Sequence, residues 1–116
     1  MNRKFVSAIA VLGALAALGC GGSSDSRPPT WAYISPVILQ PNCATANCHS
    51  QLAQRGKVDL STMSAGAKTL APWKGILPML LRGTVAGMPR MPPDFPLSNA
   101  DIELIEAWIA AGGATQ

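Results

Sequence analysis

Two cysteines and the only histidine of this 116-residue chain lie within seven residues, Cys43-Ala44-Thr45-Ala46-Asn47-Cys48-His49. Thiols at this spacing, with an imidazole directly after the second, admit three kinds of chemistry. They can attach a haem, the thiols forming thioethers with its two vinyl groups and a histidine nitrogen ligating iron. They can close a disulfide, the usual fate of paired cysteines in an oxidising compartment, and leave the histidine as surface. Or they can join a zinc site, which needs a fourth ligand that no second Cys/His cluster supplies here. For haem the adjacency of Cys48 and His49 matters most, because it sets the imidazole beneath the iron once the second thioether is made. The residues between the cysteines only span the gap between vinyls; four do so here, where the commonest motif has two. On the heptapeptide alone, haem and disulfide are evenly matched.

A second segment with donor atoms is Met88-Pro89-Arg90-Met91-Pro92-Pro93. It sits in a stretch from Gly83 to Leu97 that also holds Pro96, so the spacing predicts an extended loop with no regular element, stiffened by proline. The last element is the clearest. Ser98-Asn99-Ala100-Asp101 predicts an N-cap with an acidic residue three positions on. Ile102, Ile105 and Ile109 then form one stripe, Leu104, Trp108 and Ala111 an adjacent one, and Gly112-Gly113 ends the helix. Towards the N-terminus, Ser35-Pro36 predicts the start of a short helix that runs through Val37-Ile38-Leu39 to Pro41-Asn42. Gly56 to Ser61 reads as irregular, with Val58 and Leu60 pointing inward. Ser64 to Arg82 reads as two or three short helices interrupted by Pro72 and Pro78. Met63 and Met79 read as gap-filling core. With no run of period two, the expected class is all-α with long ordered loops.

The chain opens with Asn2-Arg3-Lys4 and an uncharged apolar run from Phe5 to Leu18, the size of a secretory h-region and too short to span a bilayer. Ala16-Ala17-Leu18-Gly19-Cys20 resembles the lipobox of bacterial lipoproteins, in which the cysteine is acylated and becomes the new N-terminus. The expected organisation is a signal peptide over 1–19, a lipidated flexible linker over 20–30 ending in Pro28-Pro29, and one folded domain over 31–116. Gly21 stands where an aspartate would signal inner-membrane retention, which tilts the expected destination to the outer membrane, facing the periplasm. Of nine basic residues, Arg3 and Lys4 belong to the leader, leaving seven against six acidic ones. That balance gives no basic face for a nucleic acid. A domain this small buries little apolar surface, so some covalent or ligand staple is expected.

Taken together, the heptapeptide, the Met91-Pro92-Pro93 segment, the capped acidic helix and Trp108-Ile109 before a small-residue end resemble the small cytochrome c domains of the planctomycete-type group. The apolar Val37-Ile38-Leu39 ahead of Cys43, and Val58-Asp59-Leu60 after the motif, are similar too. The resemblance covers nearly all of Trp31 to Ala114. It implies a small cytochrome c-like fold around one covalent haem c, with Cys43 and Cys48 as thioether donors, His49 as proximal ligand and Met91, favoured over Met88, as sixth ligand. It also implies that Leu60 packs on the haem and that Trp108 both joins the last helix to the first and screens the haem edge. Arg82, Arg90 and Trp73 become candidate donors to the haem propionates, though solvated surface is the commoner role for each arginine. The function implied is that of a single-haem electron carrier, not an enzyme, with redox proteins as partners, the membrane reached through Cys20, and no small-molecule substrate. The alternative is a haem-free, disulfide-stapled periplasmic lipoprotein that serves as an interaction module. A haem enzyme or gas sensor has less support, because no distal histidine exists to activate a ligand.

Overall fold

The computed structural model describes residues 25–116. The expected signal peptide, the lipid-bearing Cys20 and the linker as far as residue 24 lie outside the described residues. Within them the protein is all-α, and no helix is long and apolar enough to cross a membrane.

The first helix, α1, occupies residues 31–43 and buries Trp31, Ile34, Ser35, Ile38, Leu39 and Cys43. That spacing is one face of a helix. Its start departs from the expected Ser35-Pro36: the helix begins one turn earlier, and Ser35 is buried within it, accepting a hydrogen bond from Gln40 Nε2 at 3.3 Å. Packing of Trp31 against Trp108 holds that extra turn, and it outweighs the punctuation that Pro36 suggests. Pro36 and Pro41 each remove a backbone donor. Between them the helix widens into a π-turn over Ser35–Leu39, with the Gln40 N–H reaching five residues back to the Ser35 carbonyl. The Asn42 side chain donates to the Ile38 carbonyl at 2.8 Å.

Three further helices follow, α2 (Met63–Leu70), α3 (Leu77–Arg82) and α4 (Asn99–Ala110), with a 3-10 turn at Ala71–Trp73 between α2 and α3. Thr62 caps α2 by accepting from the Ala65 N–H at 3.1 Å. Gly66 in α2 lets the helix lie against Trp31, where an added Cβ would stand 3.0 Å from Trp31 Cζ2. Ser98 caps α4 by accepting from the Asp101 N–H at 3.1 Å. At its other end Gly112 and Gly113 take positive φ, and the Gly113 N–H reaches back to the Trp108 carbonyl at 2.9 Å. This satisfies a carbonyl that the helix end would orphan.

Trp31 and Trp108 stack with centroids 5.2 Å apart at the centre of the α1–α4 contact. Ile34 and Ile105, both without exposed surface, pack in the same core. Met63 and Met79, expected in the core, are instead 38% and 52% exposed. The tether also ends sooner than composition suggests. Arg27 pairs with Asp25 and with Asp101 in the first turn of α4, so the chain is already fastened to the domain at residue 27.

Candidate functional site

Beside the stacked tryptophans lies an apolar cavity of about 220 Å³. The end of α1 contributes Leu39 and Cys43 to its wall, and the following loop contributes Cys48, His49, Arg55, Val58 and Leu60. Leu70, Trp73, Leu77, Leu80 and Leu81 come from α2, α3 and the turn between them, and the proline-rich loop supplies Met88 and Met91 with Pro89, Pro92 and Pro93.

The loop after α1 is ordered by its own backbone. The His49 N–H donates to the Cys43 carbonyl at 3.1 Å, and the Leu60 N–H donates to the His49 carbonyl at 2.8 Å. These bonds fold 55–60 back over 48–49 and carry Val58 and Leu60 to the cavity, as their apolar character suggested. Asp59 between them anchors the segment: its carboxylate accepts from the Ser61 N–H and hydroxyl, which hold it below the usual carboxylate range. Its backbone meets the Thr69 hydroxyl of α2 at 3.0 and 2.9 Å.

His49 Nδ1 lies 3.3 Å from the Val58 carbonyl. An imidazole that donates from Nδ1 to a carbonyl keeps a lone pair on Nε2, the tautomer a metal-ligating histidine needs. Cys43 and Cys48 are both free thiols. Burial, with a smaller contribution from the neighbouring Cys48, pushes the Cys43 thiol up to about 12. Cys43 is thus a protonated, buried thiol on an apolar wall. Among the described residues no three of His, Cys, Asp and Glu converge as a candidate metal site.

The proline-rich loop is irregular as expected, apart from one tight turn in which Val85 and Met88 exchange backbone hydrogen bonds at 3.0 and 2.8 Å. Ala86 and Gly87 at its corner both have positive φ, the conformation of a type I′ hairpin turn. The Met91 N–H then donates to the Leu80 carbonyl of α3 at 2.8 Å, which ties the loop to the cavity wall. Both methionines reach the cavity.

Three residues that the resemblance offered as cofactor contacts do not border the cavity. Trp108 does not line the cavity; it joins α4 to α1 and donates from Nε1 to the Ala114 carbonyl at 2.7 Å. Arg82 and Arg90 do not line it either. Arg82 forms a two-pronged ion pair with Glu106 of α4, and Arg90 donates to the Pro93 carbonyl. The charged residue that does line the cavity is Arg55, which sequence reasoning passed over. Its only local signal is the Gly56 that follows.

No protein-family profile, no curated protein and no solved structure matches the chain.

Proposed function

We propose that the domain is a small cytochrome c-like electron carrier, holding one covalent haem and anchored through Cys20 to the periplasmic side of a bacterial membrane. The observation that carries this reading is convergence. Cys43, Cys48 and His49 share one apolar cavity with Met88 and Met91, which lie some forty residues further along the chain. Neither a disulfide nor a packing core requires that set to meet.

The residues fit the group in three respects. The wall is apolar, as a porphyrin face requires. His49 has Nδ1 turned to the Val58 carbonyl, which leaves Nε2 for iron. Methionine sulfur on the same cavity supplies the soft second ligand that, together with histidine, raises a reduction potential. When bound, haem supplies the one-electron chemistry. The chain's own part is to hold and to shield. Cys43 and Cys48 fix the group by thioethers, so it is not lost between partners. Leu39, Leu60, Leu70 and Leu77 keep water from it, and the low polarity of that shell tunes the potential. Met91 is the assigned sixth ligand, since it is fastened to Leu80 and followed by two prolines, whereas Met88 closes a hairpin turn.

The test is intact-mass measurement of the mature protein after export with the haem-attachment machinery. One haem that survives acid-acetone extraction is the expected result. A mass equal to polypeptide plus lipid, less two hydrogens, would establish the disulfide-stapled module instead. In the loaded protein Met91→Ala should abolish the weak long-wavelength band of methionine-ligated ferric iron and lower the reduction potential, while Met88→Ala leaves both nearly unchanged. The reverse pattern would transfer the role to Met88.

A further inference from the structure

Two large apolar side chains stand almost wholly in solvent, Leu52 at 96% and Phe95 at 82% exposed. A single exposed leucine is ordinary on a protein surface. Phe95 differs in its company. Pro93 and Pro96 beside it are exposed too, and the three form an apolar loop tip interrupted only by Asp94. The tip runs straight into the cap of α4, where the Ser98 side chain accepts from the Asp101 N–H. With that closed turn between them, Phe95 lies no more than about 16 Å from Asp101. Asp101 is the residue to which Arg27 is fastened.

That clasp limits which side of the domain can face away from a membrane. Seven residues lead from Cys20 to Arg27, a reach of at most about 25 Å, whereas eleven lead from Cys20 to Trp31, a reach of at most about 40 Å. A compact domain of this size is about 30 Å across. A lipid-bearing chain that joined the domain only at Trp31 would leave every orientation open. Joined at Arg27, it cannot put the clasped edge on the side opposite the bilayer. The tether also keeps that edge at high local concentration over the lipid, so one phenylalanine suffices to choose among the orientations that remain. Phenylalanine is suited to the boundary between headgroups and acyl chains. The edge has no surplus of positive charge, since Arg27 is answered by Asp25 and Asp101 and Asp94 adjoins Phe95. It therefore fits a zwitterionic surface by apolar contact, not an anionic one by charge.

We propose that the edge formed by Pro93, Phe95 and Pro96 rests on the lipid surface that anchors the protein, kept there by the Arg27–Asp101 clasp, with Phe95 entering the headgroup region. The assignment depends on the lipoprotein reading above. Phe5 belongs to the leader, so Phe95 is the one phenylalanine of the mature chain, and 4-fluorophenylalanine in its place gives a single fluorine resonance. The lipidated protein is placed, under reducing conditions, in bicelles of phosphatidylcholine and phosphatidylethanolamine that carry nitroxide-labelled lipid. The nitroxide should enhance relaxation at residue 95 several-fold more than at a second fluorophenylalanine introduced by Ala111→Phe, at the exposed far end of α4, about 15 Å along the helix from Asp101. Arg27→Gln opens the clasp and should shrink that difference. Adding phosphatidylglycerol should not enlarge it, and a large gain would mean that charge, not apolar contact, makes the dock. If residues 95 and 111 respond equally, if Arg27→Gln changes nothing, or if a Leu52→Phe variant shows residue 52 to be the more strongly relaxed, the docking assignment falls while the lipoprotein reading stands. If the mature protein carries no lipid by mass, both fall.

Discussion

Where α1 meets α4, side chains fill the space between them; where the loops face α3, they stand around a space. The first region is closed by the Trp31–Trp108 stack, by Ile34 and Ile105 and by the Trp108 hydrogen bond to Ala114. The second has comparable apolar residues, Leu39, Leu60, Leu70, Leu77 and Leu80, all buried or nearly so, yet they border a cavity. An interior at crystal-like density gains dispersion contacts on every side of a side chain, and a side chain facing a void forfeits part of them. The closed region therefore supports the fold by itself, and the open region gains its full stability only when something occupies it. Mass action gives the same conclusion from the other direction, since an occupant that binds only the folded chain stabilises it.

The sharpest way to break this comparison is to truncate one residue from each region in protein produced without haem. Trp108→Ala should cost about 3–5 kcal/mol, as large aromatic truncations do, which is most of the stability of a domain of this size. Leu60→Ala, at a residue just as buried, should cost no more than about 2 kcal/mol, the low end for leucine, because one side of it already faces open space. Denaturant melts of the two variants measure both. Equal losses would mean that the two regions are packed alike. In haem-loaded protein the Leu60→Ala cost should rise towards that of an ordinary core leucine.

A smaller effect probes the closed region from α2. Gly66→Ala offers up to about 1 kcal/mol of helix propensity. It also sets a methyl 3.0 Å from Trp31 Cζ2 and 3.2 Å from Cη2. Trp31 is held flat against Trp108 and cannot yield by a few tenths of an ångström without disturbing the stack. Overpacking of that kind costs about 1–3 kcal/mol, so the net change should be a loss of about 1 kcal/mol. A stabilised Gly66→Ala protein would show that the tryptophan pair is looser than its geometry implies.

The same contrast explains what was legible in the sequence. α4 could be read almost to the residue because its signals are local: the Ser98 cap, the two apolar stripes and the paired glycines each act within a turn. The residues that meet at the cavity also stood out in the sequence, because the Cys43–His49 heptapeptide and the proline-flanked Met88 and Met91 are marked by local composition that needs no partner. The start of α1 was not, since it depends on a stacking partner seventy-seven positions away at Trp108. Arg27–Asp101 spans a similar gap between residues that look like linker and cap. Arg55 was hidden for another reason: its placement comes from positive φ at Gln54 and Lys57, residue types that do not advertise it. The division of roles between Trp73 and Trp108 was invisible too, because both are aromatic residues in apolar surroundings and only the fold decides which one faces the cavity.

The smallest expected effect concerns the link between the two regions. Arg82 at the end of α3 and Glu106 in α4 form an ion pair with N···O distances of 2.7 and 2.9 Å, joining the cavity wall to the packed side. The Arg82 guanidinium holds the Glu106 carboxyl below the usual glutamate range, and Arg27 does the same for Asp25. A carboxyl whose folded-state pKa is depressed contributes stability above its unfolded value, near pH 4 for these groups, and loses it as the pH falls through the folded value. The melting temperature should therefore be flat in this respect from neutrality to about pH 5 and decline below about pH 4. Because Arg82 is exposed and Glu106 is only partly buried, solvent and salt screen the pair. Glu106→Gln should lower the melting temperature at pH 7 by no more than a few degrees, and its curve should converge with that of the wild type near pH 3. Raising the salt concentration at pH 7 should shrink the difference. A difference that persists unchanged into acid would show that the link is made by packing of the Glu106 side chain against α3 and not by its charge.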